Sequence, residues 1–193
     1  MCELVLASGS SRRRSLLSQL NLEYRVVIPN VDEVVFAGEL AAEYVCRIAK
    51  LKAEGVCEFV STNESILAVD TIISLRGEII GKPIDARHAE NILQKLSAVE
   101  HEVLTALCLK IQDRYYEAMV VTKVKFKQLT KSQIVAYCLT NEPYDKAGAY
   151  AIQGLAATFV EYIFGSYTNV VGLPLFDVCK LLNQANLYKF DYV

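Results

Sequence analysis

Leu4-Val5-Leu6-Ala7-Ser8-Gly9-Ser10-Ser11-Arg12-Arg13-Arg14 opens the chain with an apolar run, a cluster of small residues and three consecutive arginines. The apolar run predicts a short buried strand and the Ser/Gly cluster a turn. Ser10 or Ser11 can then cap a helix that continues through Ser15-Leu16-Leu17-Ser18-Gln19-Leu20. The arginines fall in or beside its first turn, where the partial positive charge of a helix end attracts anions and disfavours cations. A strand, a tight turn, helix amides and guanidinium forks together make a cradle for phosphate or another oxyanion. The competing reading is a surface strand-turn-helix with solvated arginines. It is not a Walker A loop, because Gly-x-x-x-x-Gly-Lys-Ser/Thr is absent.

With 193 residues, 53% of them hydrophobic, the chain can bury a sizeable core, and a single domain over 1–193 is expected. A net charge of −2 argues against a general nucleic-acid or membrane-surface binder, so an anionic ligand needs a local positive site. The six cysteines, at 2, 46, 57, 108, 138 and 179, form no Cys-x-x-Cys pair and have no histidine at zinc spacing. They read as small apolar residues in a reduced compartment. Neither a signal-peptide core nor a membrane span is visible, so a cytoplasmic protein is expected.

Along the chain, Tyr24 to Ile28 alternates like a strand, ended by Pro29-Asn30, which puts Asp32 and Glu33 on a loop. Leu40, Tyr44, Val45, Ile48 and Leu51 recur at helical spacing up to Gly55, with Lys52 at the edge of the apolar face. In Ile66-Leu67-Ala68-Val69-Asp70-Thr71-Ile72-Ile73 a carboxylate interrupts an apolar strand. That is costly unless the group is paired, hydrogen-bonded or metal-bound, so Asp70 is either a structural ion pair, a strand-end cap or a site residue. Arg76-Gly77 predicts a hairpin through Glu78-Ile79-Ile80 to Gly81-Lys82-Pro83, with Asp70 and Lys82 on neighbouring strands.

Asp85 to Leu96 reads as a helix, 101–111 and 115–126 as a long hairpin, and Thr130 with Gln133 as a capping box for a helix to about Leu139. Lys123, Lys125 and Lys127 mark a solvated strand face. Glu142 to Gly154 reads as a loop that lines something, Thr158 to Phe164 as a strand, and the last helix starts near Pro174 with Leu175, Val178, Leu181 and Leu182 inward.

Four motifs in this order resemble the Maf family of nucleoside triphosphate pyrophosphatases, once known as septum-formation inhibitors. They are Leu6 to Arg13; Ala68-Val69-Asp70-Thr71 followed by Gly81-Lys82-Pro83; Glu142-Pro143 through Asp145-Lys146-Ala147-Gly148-Ala149-Tyr150 to Gln153-Gly154; and Asn169-Val170-Val171-Gly172-Leu173-Pro174. Ser11 departs from the family pattern, which usually has proline there; serine can cap the helix instead.

The resemblance implies an α/β fold of the Maf / ITPase-like kind, a long twisted mixed sheet flanked by helices, in two lobes around a central cleft, often as a homodimer. It implies hydrolysis of a nucleoside triphosphate between the α- and β-phosphates with a divalent metal, Mg, Mn or Co. This is housecleaning of nucleotide pools with a link to cell-division arrest. By position, Asp70 is similar to the family's catalytic carboxylate, with Glu33 and Asp70 as metal ligands and Ser8, Arg13, Lys52 and Lys82 on the substrate. Arg12, Thr71 and Gln153 match the positions that separate base specificities, and the Arg and Thr are similar to the branch acting on dTTP and UTP. The alternatives are a 7-methyl-GTP pyrophosphatase and a nucleotide-binding division regulator without catalysis.

Overall fold

The computed structural model describes residues 4–188, in which helices and strands alternate as an α/β pattern demands. Strand β1, Leu4–Ala7, leads into helix α1, Ser11–Ser18, and strand β2, Tyr24–Val27, precedes helix α2, Ala41–Glu54. The long strand β3, Ser65–Leu75, turns into β4, Glu78–Ile80, and helix α3, Ala86–Leu96, follows. Strands β5, Glu100–Ile111, and β6, Arg114–Phe126, lead to helix α4, Lys131–Cys138. Strand β7, Val160–Phe164, and helices α5, Tyr167–Val171, and α6, Leu175–Gln184, complete the described chain.

The strands form one mixed seven-stranded sheet in the order β2-β1-β3-β5-β6-β7, with β4 paired to β3. β1 runs parallel to both β2 and β3, with Ala7 opposite Val27 and Ala68, while β3/β4 and β6/β7 are antiparallel. Its parallel part has the near-continuous apolar composition of strands buried on both faces: Val5, Leu6, Ala7, Leu67, Ala68 and Val69 are all fully buried.

Contacts divide the described residues into two compact units, 4–70 with 105–120 and 172–188, and 71–104 with 121–171. The first unit has an aliphatic core that includes Leu6, Leu17, Ile48, Leu67, Leu107 and Leu182. The second is built around aromatic rings set edge to face: Phe126 lies 5.0 Å from His101, 4.8 Å from Tyr150 and 6.0 Å from Phe159.

Most predicted elements form, with five differences. Lys82 lies past the end of β4 in a loop, not on a strand beside Asp70, because the hairpin register stops at Ile80. Asp70 sits inside β3 rather than at its end. Thr158 belongs to a 3-10 turn, Leu155–Phe159, and β7 starts only at Val160. Leu175 is half-buried rather than inward, and α5 forms where the sequence pattern predicts no element. Five cysteines, 46, 57, 108, 138 and 179, are free thiols; Cys2 lies outside the described residues.

Candidate functional site

The predicted strand-turn-helix forms with Ser10 as its cap, the hydroxyl accepting from Arg13 N at 3.5 Å. Ser8 is buried and accepts from Ser10 N at 3.2 Å. This geometry sends the Arg13 side chain inward, where its fork is occupied: Nε donates to Gly172 O at 2.9 Å, and Nη1 to Val69 O at 2.9 Å and to Ser8 Oγ at 3.3 Å. Gly172 has φ +118°, a left-handed backbone that glycine alone adopts readily, in the turn ahead of α6. Arg13 therefore cross-links three chain segments of the first unit. Burial pulls its pKa down from the ordinary guanidinium value, and the Asp70 carboxylate opposes that shift.

Beside it lies a charge triad. Lys52, near the C-terminal end of α2, extends along the apolar face as its spacing predicts and places Nζ 2.7 Å from Asp70 Oδ1 and 2.8 Å from Glu33 Oε1. The Lys52 and Asp70 side chains are 10% and 7% exposed, and Glu33 is 44% exposed. The cost of an ionised carboxylate in an apolar strand is thus offset by a buried ion pair. Glu33, on a predicted solvated loop, joins that pair. Two carboxylates converging on one cationic position form a donor set suited to a hard divalent cation. Among the described residues no cluster of three or more His, Cys, Asp or Glu could hold a metal ion.

The loop that carries Glu33 is strapped to α2 by two residues that sequence reasoning assigned to the core or passed over. Tyr44 donates its hydroxyl to Glu33 O at 3.0 Å, and Arg47 Nη2 donates to Val34 O at 2.9 Å. Arg47 also grips both Glu39 oxygens, at 2.5 and 2.7 Å, and stacks over Phe36 with its guanidinium 4.1 Å from the ring centre. The i, i+3 spacing of Tyr44 and Arg47 on one helix face was the available signal. Tyr44 is pushed up to about 12, by burial first and then by the negative charges of Asp70 and Glu33.

Arg12 is half-buried on α1, and its charge acts on Arg13 in the same direction as burial. Thr71, Lys82 and Gln153 belong to the second unit. Thr71 is half-buried, the next residue of β3 after Asp70, whereas Lys82 and Gln153 are exposed. The segment Ala147–Ala149 is tied to the residue before Lys82 by Gly148 N donating to Gly81 O at 3.1 Å. The structure thus gathers Ser8, Arg13, Glu33, Lys52 and Asp70 into one constellation within the first unit.

Comparison with known proteins places the chain in a family. A family model described as Maf-like protein matches residues 3–185. A dTTP/UTP pyrophosphatase of Salmonella typhimurium strain LT2 is 44% identical over 186 residues, 96% of this chain and 94% of that protein. The dTTP/UTP pyrophosphatase of Escherichia coli K12 is 43% identical with the same coverage, 96% and 94%. Among solved structures, a nucleoside-triphosphatase / dITP/XTP pyrophosphatase from Mycobacterium abscessus is similar with a TM-score of 0.41 and 16% identity, covering 66% of this chain and 75% of that one. With the family model spanning nearly its whole length, the chain belongs to the Maf-like protein family.

Proposed function

We propose that this chain hydrolyses nucleoside triphosphates, dTTP and UTP in preference, to the monophosphate and pyrophosphate. The observation that carries the reading is the buried Lys52–Asp70 pair at 2.7 Å with Glu33 on the same ammonium, in a relative of proteins named dTTP/UTP pyrophosphatases. In the reaction, a water oxygen forms a bond to the α-phosphorus and the bond to the bridging oxygen breaks. Pyrophosphate leaves with that electron pair, and Asp70, directly or through a bound water, takes the proton of the attacking water. Lys52, Lys82 and Arg13 supply fixed positive charge for the phosphates, with Arg13 also holding the Ser8 loop in shape. A divalent cation, Mg, Mn or Co, held by Glu33 and Asp70, would add charge neutralisation on the triphosphate.

For the base, Arg12, Thr71 and Gln153 supply donors and an acceptor for the O2, N3–H and O4 edge of uracil or thymine. An unmatched buried polar group costs about 1–3 kcal/mol, so bases with a different edge are disfavoured, whereas the thymine methyl and ribose 2′-hydroxyl separate dTTP from UTP weakly. A cytoplasmic homodimer that clears surplus or modified nucleotides, with arrest of division as a consequence, completes the proposal. Among the described residues no helix is long and apolar enough to cross a membrane.

The test is a pyrophosphate-release screen over canonical and modified triphosphates with magnesium, manganese or cobalt, with and without chelator, alongside light scattering for the dimer. Metal-dependent release from dTTP and UTP is expected. Tight nucleotide binding with no release would make the protein a nucleotide-binding regulator, and preference for 7-methyl-GTP would move it to the other branch.

A further inference from the structure

Within the second unit, one buried relay ties down both flanks of Gln153. Tyr137 projects from α4 into the aromatic core, 5.1 Å from the Phe159 ring, and is almost fully buried. Its hydroxyl donates to Glu142 Oε1 at 2.9 Å and accepts from Ala151 N at 3.3 Å. The Glu142 carboxylate also accepts from Leu155 N at 2.9 Å and Ala156 N at 3.2 Å. It thereby supplies the negative charge that the amide end of the 3-10 turn at Leu155–Phe159 favours. The backbone amides of residues 151, 155 and 156 all terminate on this one phenol-carboxylate pair, and Gly154 N closes the bend by donating to Ala151 O at 3.0 Å.

Gly154 is needed for this approach. A Cβ there would stand 2.2 Å from Glu142 Oε2 and 2.4 Å from its carboxyl carbon, so any larger residue displaces the carboxylate from its three donors. Lys146 Nζ holds the other end of Glu142 by donating to its backbone carbonyl at 2.7 Å. Within the bend closed by Gly154 N and Ala151 O, Ile152 is buried while Gln153 is exposed. The dense hydrogen bonding therefore fixes the backbone from which one outward amide is presented.

We propose that Tyr137 and Glu142 are positioning residues for Gln153, and through it for the choice of base; this rests on the base-contact role given to Gln153 above. An amide that must read O4 or N3–H has to be held to within a fraction of an ångström, because its discrimination comes from aligned hydrogen bonds. Loss of the relay lets the bend relax, so the pyrimidine loses its matched partner more than a purine loses its poor one.

The experiment measures kcat and KM for dTTP and for GTP in Glu142→Gln, Tyr137→Phe, Gln153→Ala and the double variant Glu142→Gln/Gln153→Ala, with thermal melting of each. Glu142→Gln and Tyr137→Phe are each expected to lower the dTTP-to-GTP ratio of kcat/KM about tenfold, mainly through KM for dTTP. With Gln153 already truncated, Glu142→Gln is expected to change that ratio by less than about twofold, since the two residues act as one unit. An equal loss in the truncated background, or an unchanged ratio in the single variants, overturns the assignment. Should Glu142→Gln fail to fold, Tyr137→Phe, which keeps the carboxylate and its two backbone bonds, decides the question on the same ratio. No turnover of either triphosphate by the unmodified protein overturns the function and this assignment together, whereas normal turnover with an unchanged ratio overturns this assignment alone.

Discussion

Lys52 Nζ lies 2.7 Å from Asp70 Oδ1, with the Glu33 carboxylate 2.8 Å away on the same ammonium. The members of this triad are not equivalent, because Asp70 is buried in β3 and Glu33 is largely exposed. Removing the lysine leaves a buried anion without its ion partner, whereas neutralising the aspartate leaves the lysine with Glu33. Loss of one partner of a buried pair costs about 3–5 kcal/mol.

Lys52→Met is therefore expected to lower the melting temperature by roughly 10 °C, while Asp70→Asn lowers it much less. The order reverses for activity. Asp70→Asn removes the group proposed to take the proton and is expected to cut pyrophosphate release from dTTP by roughly 100-fold or more. Melting curves and a pyrophosphate assay on the same two preparations separate the effects. Undiminished turnover in Asp70→Asn would end the catalytic assignment.

Arg13→Lys tests whether a positive charge alone suffices at that position. A lysine ammonium carries three donors on one nitrogen and cannot reproduce the planar fork that reaches Gly172 O, Val69 O and Ser8 Oγ together. One carbonyl is expected to lose its partner, at a cost of about 1–3 kcal/mol in chemical denaturation. Triphosphate KM is also expected to rise, because the Ser8 loop loses its anchor.

What was legible in the sequence was local. The apolar run, the Ser/Gly turn and the serine cap at the start of the chain involve residues a few positions apart, and all of them form. Asp70 stood out because a carboxylate in an apolar strand has to be compensated, and Lys52 because its helical position put it beside an apolar face. Arg13 stands at the helix start that the local pattern predicts, whereas the carbonyls its fork engages lie 56 and 159 residues away, a pairing that no local pattern encodes. The 3-10 turn at Leu155–Phe159 carries no local signal for the same reason: its cap is the carboxylate of Glu142, supplied from 13 residues upstream.

Acid sensitivity is expected from His101. The ring is buried, with Nε2 2.9 Å from Tyr150 Oη and edge contacts to Phe126 and Tyr150, and burial pulls its pKa down from 6.5 to about 4. Between those values the unfolded chain holds more protons than the folded one, so stability is fully present above pH 6.5 and is lost as pH falls towards 4. The total is about 3 kcal/mol. Urea unfolding across this window is expected to show that slope. His101→Phe should flatten it, lowering stability at neutral pH, where the Tyr150 hydroxyl loses its partner, with the difference from the unmodified protein closing as pH falls towards 4.

Two glycines of the second unit, joined by the Gly148 N–Gly81 O hydrogen bond, are expected to respond very differently to a methyl group. Gly148 has φ +71°, and a Cβ there would stand 2.2 Å from Ile73 Cδ1 in the core, so Gly148→Ala combines backbone strain with overpacking. Those costs are about 1–2 and 1–3 kcal/mol, and together they are expected to give about 2–4 kcal/mol in chemical denaturation. At Gly81 nothing lies within 4 Å of the added carbon and φ is not in the left-handed region, so Gly81→Ala should shift stability by no more than about 0.5 kcal/mol. KM for the triphosphate is also expected to rise in Gly148→Ala, because displacement at Gly148 strains the bond that anchors the backbone next to Lys82. Equal stability of the two variants would show that Ile73 and the 147–149 turn shift freely, and an unchanged KM in Gly148→Ala that this anchor does not hold Lys82 in place.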